Sequence, residues 1–244
     1  MIPTWLHVLS IAALVVGFVS ALVIVADEWR DPQHMWIMNA VWPITALFGG
    51  FVSLRGYFAY GKHDTKRQMA EAHEKDQPMP GKQHTPFPVM VGKGTAHCGS
   101  GCTLGDIAAE WLAFAFPAIA IAFGWKGLFG EKMFAVWIPD YILAFIFGIV
   151  FQYFSIKPMR NLTPLEGIVE AVKADALSLT AWQIGMYGFM ALAHFWFFGT
   201  LLGARLEVDS VEFWFMMQIG MFAGFATSYP VNWWLIRRGV KEEM

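Results

Sequence analysis

The chain has 244 residues, of which 57% are hydrophobic, and its formal net charge is −2. Soluble proteins are about 45–50% apolar, so this composition predicts an integral membrane protein that lies in a lipid bilayer. The small net charge without a basic stripe argues against a nucleic-acid partner. The sequence has no nucleotide or flavin signature, and it has neither the nucleophile elbow nor the HExxH motif of hydrolases.

Six apolar runs approach the length of about 20 residues that crosses a bilayer as a helix. They cover residues 5–26, 35–54, 107–124, 133–156, 176–203 and 213–236. We therefore predict an all-α, polytopic membrane helix bundle with six transmembrane helices. The third span is the least regular, because Glu110 lies inside it and Pro117 should bend it.

The basic residues predict how this bundle is oriented. Of the 17 Lys and Arg residues, those on the side opposite the N-terminus are Arg30, Lys126, Lys132 and Arg205. Because basic residues are enriched in cytoplasmic loops, both termini should be cytoplasmic. We expect a multi-pass protein of the bacterial inner (cytoplasmic) membrane, in which cytoplasmic thiols stay reduced.

Polar segments divide the chain into three predicted parts. Residues 1–60 form a two-helix transmembrane hairpin, and residues 95–244 form a four-helix transmembrane domain. Between them, residues 61–94 are rich in Lys, Glu, His, Gln and Pro, which predicts a flexible cytoplasmic linker. Thr163 and Glu166 have the spacing of a capping box, so a helix should begin there and lead into the fifth span.

Both cysteines of the chain lie in the short sequence HCGSGC, residues 97–102. Its glycines predict a loop that leads into the third span. Thiolates bind Cu(I) or zinc and imidazole is a further ligand, so His97, Cys98 and Cys102 form a candidate metal site. The alternative is an ordinary glycine-rich turn with two small buried side chains.

Three carboxylates follow this loop, and we interpret them differently. Thr103 and Asp106 have capping-box spacing, so we expect Asp106 to serve the start of the third helix. Glu110 and Asp140 lie within spans, where a carboxylate is costly and usually faces a partner or a cavity. They are candidates for charge compensation or proton relay, although Glu110 could equally lie at the level of the lipid headgroups.

A second set of soft ligands lies in the fifth span. Met186, Met190 and His194 repeat every four residues, which places thioether and imidazole groups on one face of a helix. They are candidate ligands along an intramembrane route. The alternative is that the methionines fill gaps in the core and that the histidine bonds a backbone carbonyl.

Two longer motifs carry a family resemblance. HCGSGCTLGD, residues 97–106, and GMFAGFATSYPVNWWLIRRGVKEEM, residues 220–244, resemble a bacterial and archaeal membrane family that is known as domain of unknown function 4396. The resemblance covers roughly residues 88–244. The matching positions are His97, Cys98, Gly101, Cys102, Gly105, Tyr229, Pro230, Asn232, Trp233 and Lys241.

This resemblance brings no activity, and it implies copper only because members of the family often occur in genomes beside copper-handling proteins. We interpret Gly101 and Gly105, and Tyr229, Pro230 and Asn232, as structural parts of the motifs. In a membrane helix, Asn232 could satisfy backbone groups that Pro230 leaves free.

Three functions remain open from the sequence. The leading hypothesis is a protein that handles or transports a soft transition metal, Cu(I) before zinc, with a metal chaperone or another copper-handling protein as partner. The second is a thiol-redox protein or sensor in which Cys98 and Cys102 cycle between dithiol and disulfide. The third is an assembly subunit of a membrane complex or a homo-oligomer, packed through glycine faces.

Overall fold

Apolar segments of the chain form long helices in the computed structural model, which describes residues 2–78, 80–160 and 162–242, without the side chains of residues 82 and 158–160. In chain order the helices are α1 (Thr4–Arg30), α2 (Met38–Tyr60), α3 (Lys66–Glu74), α4 (Pro80–His84), α5 (Phe87–Ala115), α6 (Ala118–Ala122), α7 (Lys132–Arg160), α8 (Pro164–Ala191) and α9 (Val211–Arg237). A 3-10 turn covers Gly61–Asp64, and α8 continues as a π-helix over Leu192–Leu202. The described part of the chain is thus all-helical, as predicted.

Three of the helical segments are long and apolar enough to cross a membrane. These are Thr4–Arg30, Lys132–Lys157 and Pro164–Leu202. They coincide with the first, fourth and fifth predicted spans, which supports a membrane protein. The second and sixth predicted spans coincide with α2 and α9.

The loop predicted before the third span is wrong, and the helix at the third span has other bounds than predicted. Helix α5 begins at Phe87 and runs without interruption through residues 97–102 to Ala115, where Pro117 prevents its continuation. The Thr103 hydroxyl does not cap a helix: it donates to the carbonyl of Gly99 inside α5, at 2.8 Å.

The glycines of α5 serve helix packing, which explains why they do not form a loop. A Cβ atom at Gly101 would lie 2.7 Å from the backbone of Gly148 on α7, and one at Gly105 would overlap Ala144. Small residues at a helix interface let two backbones approach closely. Sequence alone does not distinguish this use of glycine from a flexible turn.

The segment predicted as a flexible linker, residues 61–94, is largely folded. It contains α3, α4 and the start of α5. Buried Lys93 forms an ion pair with Asp64, and Lys62 pairs with Asp27 at 2.7 Å at the end of α1. The first ion pair joins the two ends of the segment, and the second fastens the segment to α1.

The predicted start of the helix before the fifth span is confirmed. The Thr163 hydroxyl accepts a hydrogen bond from the Glu166 amide, and the Glu166 carboxylate accepts one from the Thr163 amide. Helix α8 therefore begins at Pro164, directly after its cap, and it packs against α7 and α9.

Candidate functional site

Helix α5 carries a row of polar and ionisable side chains that are all buried. Cys98, Cys102, Asp106 and Glu110 lie four residues apart, and each is at most 6% exposed. Twelve residues of helix extend about 18 Å, more than half of the roughly 30 Å of hydrocarbon in a bilayer. We refer to these four residues as the α5 row. It ends in one polar cluster at Cys98 and in another near Glu110.

The first cluster surrounds Cys98, and we call it the Cys98 cluster. The thiol donates to Asp175 Oδ1 of α8 at 2.5 Å and lies 3.3 Å from the Ser178 hydroxyl. Lys241 Nζ donates to Cys98 Sγ at 2.6 Å and to Asp175 Oδ1 at 3.2 Å. A cysteine, a carboxylate and an ammonium group therefore meet inside the bundle, since all are at most 2% exposed.

Residues of the second family motif support this cluster. The Asn232 amide donates to the Ser228 carbonyl and hydroxyl, at 3.1 and 2.9 Å, and the Ser228 hydroxyl donates to the Ser178 carbonyl at 2.8 Å. The Tyr229 hydroxyl donates to the Pro88 carbonyl at the start of α5, at 3.0 Å. The Ser228 and Tyr229 hydroxyls thus hold α9 against α8 and α5, while the Asn232 amide bonds within α9.

His97 points away from Cys98. Its Nε2 lies 3.4 Å from the Ser155 hydroxyl on α7, and its ring packs against Phe151. Cys102 lies in an apolar cluster with Leu179 and Trp182. The structure therefore brings each of the three predicted metal ligands to a different neighbourhood.

The second cluster lies between α5, α7 and α8. Asp106 of α5 and Asp140 of α7 are buried carboxyl groups that interact electrostatically, and Gln183 Nε2 donates to Asp106 Oδ1 at 3.3 Å. The Tyr187 hydroxyl, nearby, donates to the Trp137 carbonyl at 3.1 Å. Our prediction that Asp106 serves the start of a helix is therefore wrong. Asp106 lies inside α5 and is half of a buried carboxyl pair.

A cavity of about 690 Å³ opens beside this pair. Glu110 and Asp140 line it together with Met186, Met190 and His194. The two predicted intramembrane carboxylates and the three predicted soft ligands of the fifth span thus line the same cavity. Lys132, Arg205 and Glu207 also line the cavity, so it carries charges of both signs.

The soft donors of the cavity are the imidazole of His194 and four thioethers, those of Met133, Met186, Met190 and Met217. Among the described residues, no three Cys, His, Asp or Glu side chains form a group that could hold a metal ion. Thioether sulfur suits Cu(I), imidazole suits copper as well as zinc, and carboxylates can balance the charge of the cation. The donor set fits a soft monovalent cation better than a four-ligand zinc site.

Sequence reasoning missed Asp175, Ser178 and Gln183, and it gave Lys241 no role beyond the family match. The signal for Asp175 was present: it is a carboxylate one residue before the predicted fifth span. Because α8 begins at Pro164, Asp175 lies inside a long helix, where a buried carboxylate requires a partner.

The chain belongs to the family described as domain of unknown function DUF4396, whose model matches residues 89–241, more than half of the chain. The match includes the whole α5 row and both clusters. No curated protein and no solved structure matches the chain.

Proposed function

We propose that this DUF4396 protein is a six-span protein of the bacterial cytoplasmic membrane, with both termini inside, that binds and transports Cu(I) as its cargo. The observation that carries the proposal is the cavity in which Met186, Met190 and His194 face Glu110 and Asp140. It combines soft donors with carboxylates at one end of a buried polar row.

Electrostatics supports a path for a cation. A bare cation in a bilayer is unfavourable by many kcal/mol unless protein groups replace its hydration shell. The α5 row continues from the cavity through Asp106 and Cys102 to Cys98, and these three side chains are buried. The row thus offers successive oxygen and sulfur groups across the bundle.

The redox alternative is less well supported by the geometry. Cys98 and Cys102 are both free and lie four residues apart in a continuous helix. The Cβ atoms of such pairs are about 5–6 Å apart, whereas a disulfide requires about 3.5–4.5 Å. Closing the bond would therefore unwind part of α5.

Cu(I) binding tests the role of the cavity. The purified protein is titrated with Cu(I) against a chromogenic chelator, and the double variant Met186→Leu/Met190→Leu removes the two cavity thioethers of α8 while nearly keeping the side-chain volume. We expect its Cu(I) affinity to fall by about tenfold or more, which corresponds to about 1.4 kcal/mol.

Met216→Leu is the matched control, since Met216 is buried on α9 and does not line the cavity. It should keep the wild-type affinity. Equal affinity of the wild type and the double variant, or no Cu(I) binding by either, would overturn the proposal.

A further inference from the structure

Lys241 reaches the Cys98 cluster from outside the helices. Helix α9 ends at Arg237, and Gly239, with φ 68°, turns the chain back towards the bundle. Only glycine adopts this left-handed conformation without strain. The turn sends the Lys241 side chain past Gly94, where a Cβ atom would lie 3.9 Å from the lysine Cε.

The end of this side chain has the surroundings of a bound cation. Its Nζ contacts a sulfur and a carboxylate oxygen, and the side chain has no exposed surface. Nζ lies 3.2 Å from Asp175 Oδ1, and this buried ion pair favours the charged form of the lysine. The group is therefore an ammonium ion.

The cluster also has unused capacity for a ligand. Asp175 Oδ2 is buried and has no hydrogen-bond partner among the described residues. The Ser178 hydroxyl lies near both Cys98 and Asp175 Oδ1, at 3.3 and 3.2 Å. Sulfur and oxygen donors therefore surround the position that the Lys241 ammonium group occupies at the end of a flexible side chain.

We infer that Cys98, Asp175 and Ser178 form a binding site for a soft monovalent cation, and that the Lys241 ammonium group fills this site until the cation displaces it. The identity of the cargo rests on the proposed Cu(I) function. The exchange itself is a property of these four side chains and can be tested without transport.

The exchange conserves charge within the site. Before it, the site holds a neutral thiol, a carboxylate and an ammonium ion. When the monovalent metal ion binds, the S–H bond of Cys98 breaks, a sulfur–metal bond forms, and the proton passes to Asp175 across 2.5 Å. The site then holds a neutral metal thiolate and a neutral carboxylic acid, while Lys241 carries its charge to water.

This exchange is tested by measuring how accessible the Lys241 amine is to a reagent in water. The metal ion used is Ag(I), which is chemically similar to Cu(I) and stable in air. Purified wild-type protein is treated with an acetylating reagent with and without one equivalent of Ag(I), and acetylation of each lysine is measured by mass spectrometry. We expect Ag(I) to increase acetylation of Lys241 by about tenfold or more, because a buried ammonium is inert and a solvated lysine reacts.

Three controls make the result specific. Cys98→Ser should abolish the effect of Ag(I), whereas Met216→Leu, which lies outside the cavity and the Cys98 cluster, should preserve it. Lys173, which is exposed, should react equally with and without Ag(I). Protection of Lys241 at all Ag(I) concentrations, or an Ag(I) effect that survives in Cys98→Ser, would overturn the inference.

A second variant tests the same site by affinity. Lys241→Met removes the competing charge and keeps the apolar stem, so Ag(I) should bind at Cys98 about tenfold more tightly than in the wild type. Weaker or equal binding would contradict displacement. Ag(I) binding at Cys98 does not involve Met186 or Met190. This test can therefore fail while the test of Cu(I) binding in the cavity succeeds, and the reverse.

Discussion

Asp175 and Lys241 lie 66 residues apart in the chain and form an ion pair that is almost inaccessible to water, with side chains 1% and 0% exposed. Two charges are stable there only as a pair, because each alone would lose its hydration without compensation. The pair connects the end of the chain to the middle of α8. We therefore expect it to matter for folding as well as for binding.

Removing one partner of this pair should destabilise the protein. We predict that Asp175→Asn lowers the free energy of unfolding by about 3–5 kcal/mol, since it leaves a buried ammonium without its counterion. The double variant Asp175→Asn/Lys241→Met, which is neutral, should recover a substantial part of this loss. The measurement is the temperature at which half of the detergent-solubilised protein precipitates.

Lys173→Ala is the control for this prediction. Lys173 pairs with Glu170 at the surface, with 60% of its side chain exposed, and surface ion pairs contribute about 0–1 kcal/mol. The temperature at which half of the Lys173→Ala protein precipitates should equal that of the wild type. If Asp175→Asn were as stable as Lys173→Ala, the buried pair would not be a determinant of folding.

At this scale the sequence identified candidate residues better than it predicted which residues they contact. It identified Cys98, Glu110 and Asp140 by residue type and by position near apolar spans. It could not show that Asp175 faces Cys98, because that contact depends on how α5 and α8 pack. Asp106 was misjudged for the same reason, since its partner Asp140 lies on another helix.

At the scale of helices, the contact between α5 and α7 depends on glycine. Gly101 and Gly148 face each other with no room for a Cβ atom. This close approach places the α5 row beside Asp140. The spacing between the two helices therefore sets the geometry of the carboxyl pair.

Gly101→Ala should separate these helices. Its Cβ would lie 2.7 Å from backbone atoms of Gly148, and overpacking of this kind costs about 1–3 kcal/mol. We expect a lower precipitation midpoint and weaker Cu(I) binding. Gly188→Ala on α8 is the matched control, since nothing lies within 4 Å of its added Cβ.

In Gly188→Ala, the better helix propensity of alanine should stabilise the protein by about 0.5–1 kcal/mol. If both alanine variants changed stability alike, close packing at Gly101 would not be the reason for its glycine.

Helix positions illustrate what periodicity can and cannot predict. Apolar runs located α1, α2, α7, α8 and α9, and the capping box at Thr163 located the start of α8. The same reasoning assigned residues 97–106 to a loop followed by a helix cap. Glycines are typical of loops, and Thr103 and Asp106 have the spacing of a capping box. The distinction depends on Ala144 and Gly148 of α7, which lie about 40 residues or more further along the chain.

For the whole molecule, the α5 row connects two clusters with different chemistry. At one end, thioethers and an imidazole face a cavity with carboxylates. At the other, a thiol and a carboxylate hold the ammonium group of the C-terminal segment. In the proposed transport cycle, Cu(I) would pass between the clusters and exchange with Lys241.

Transport of Cu(I) across a membrane tests this account most directly. The protein is reconstituted into liposomes that contain a fluorescent Cu(I) chelator, and Cu(I) with a reductant is added outside. We predict uptake well above that of protein-free liposomes, with Met186→Leu/Met190→Leu reducing the initial rate by about tenfold and Met216→Leu leaving it unchanged. Uptake by the wild type no faster than by protein-free liposomes, or unchanged uptake by the double variant, would contradict the account.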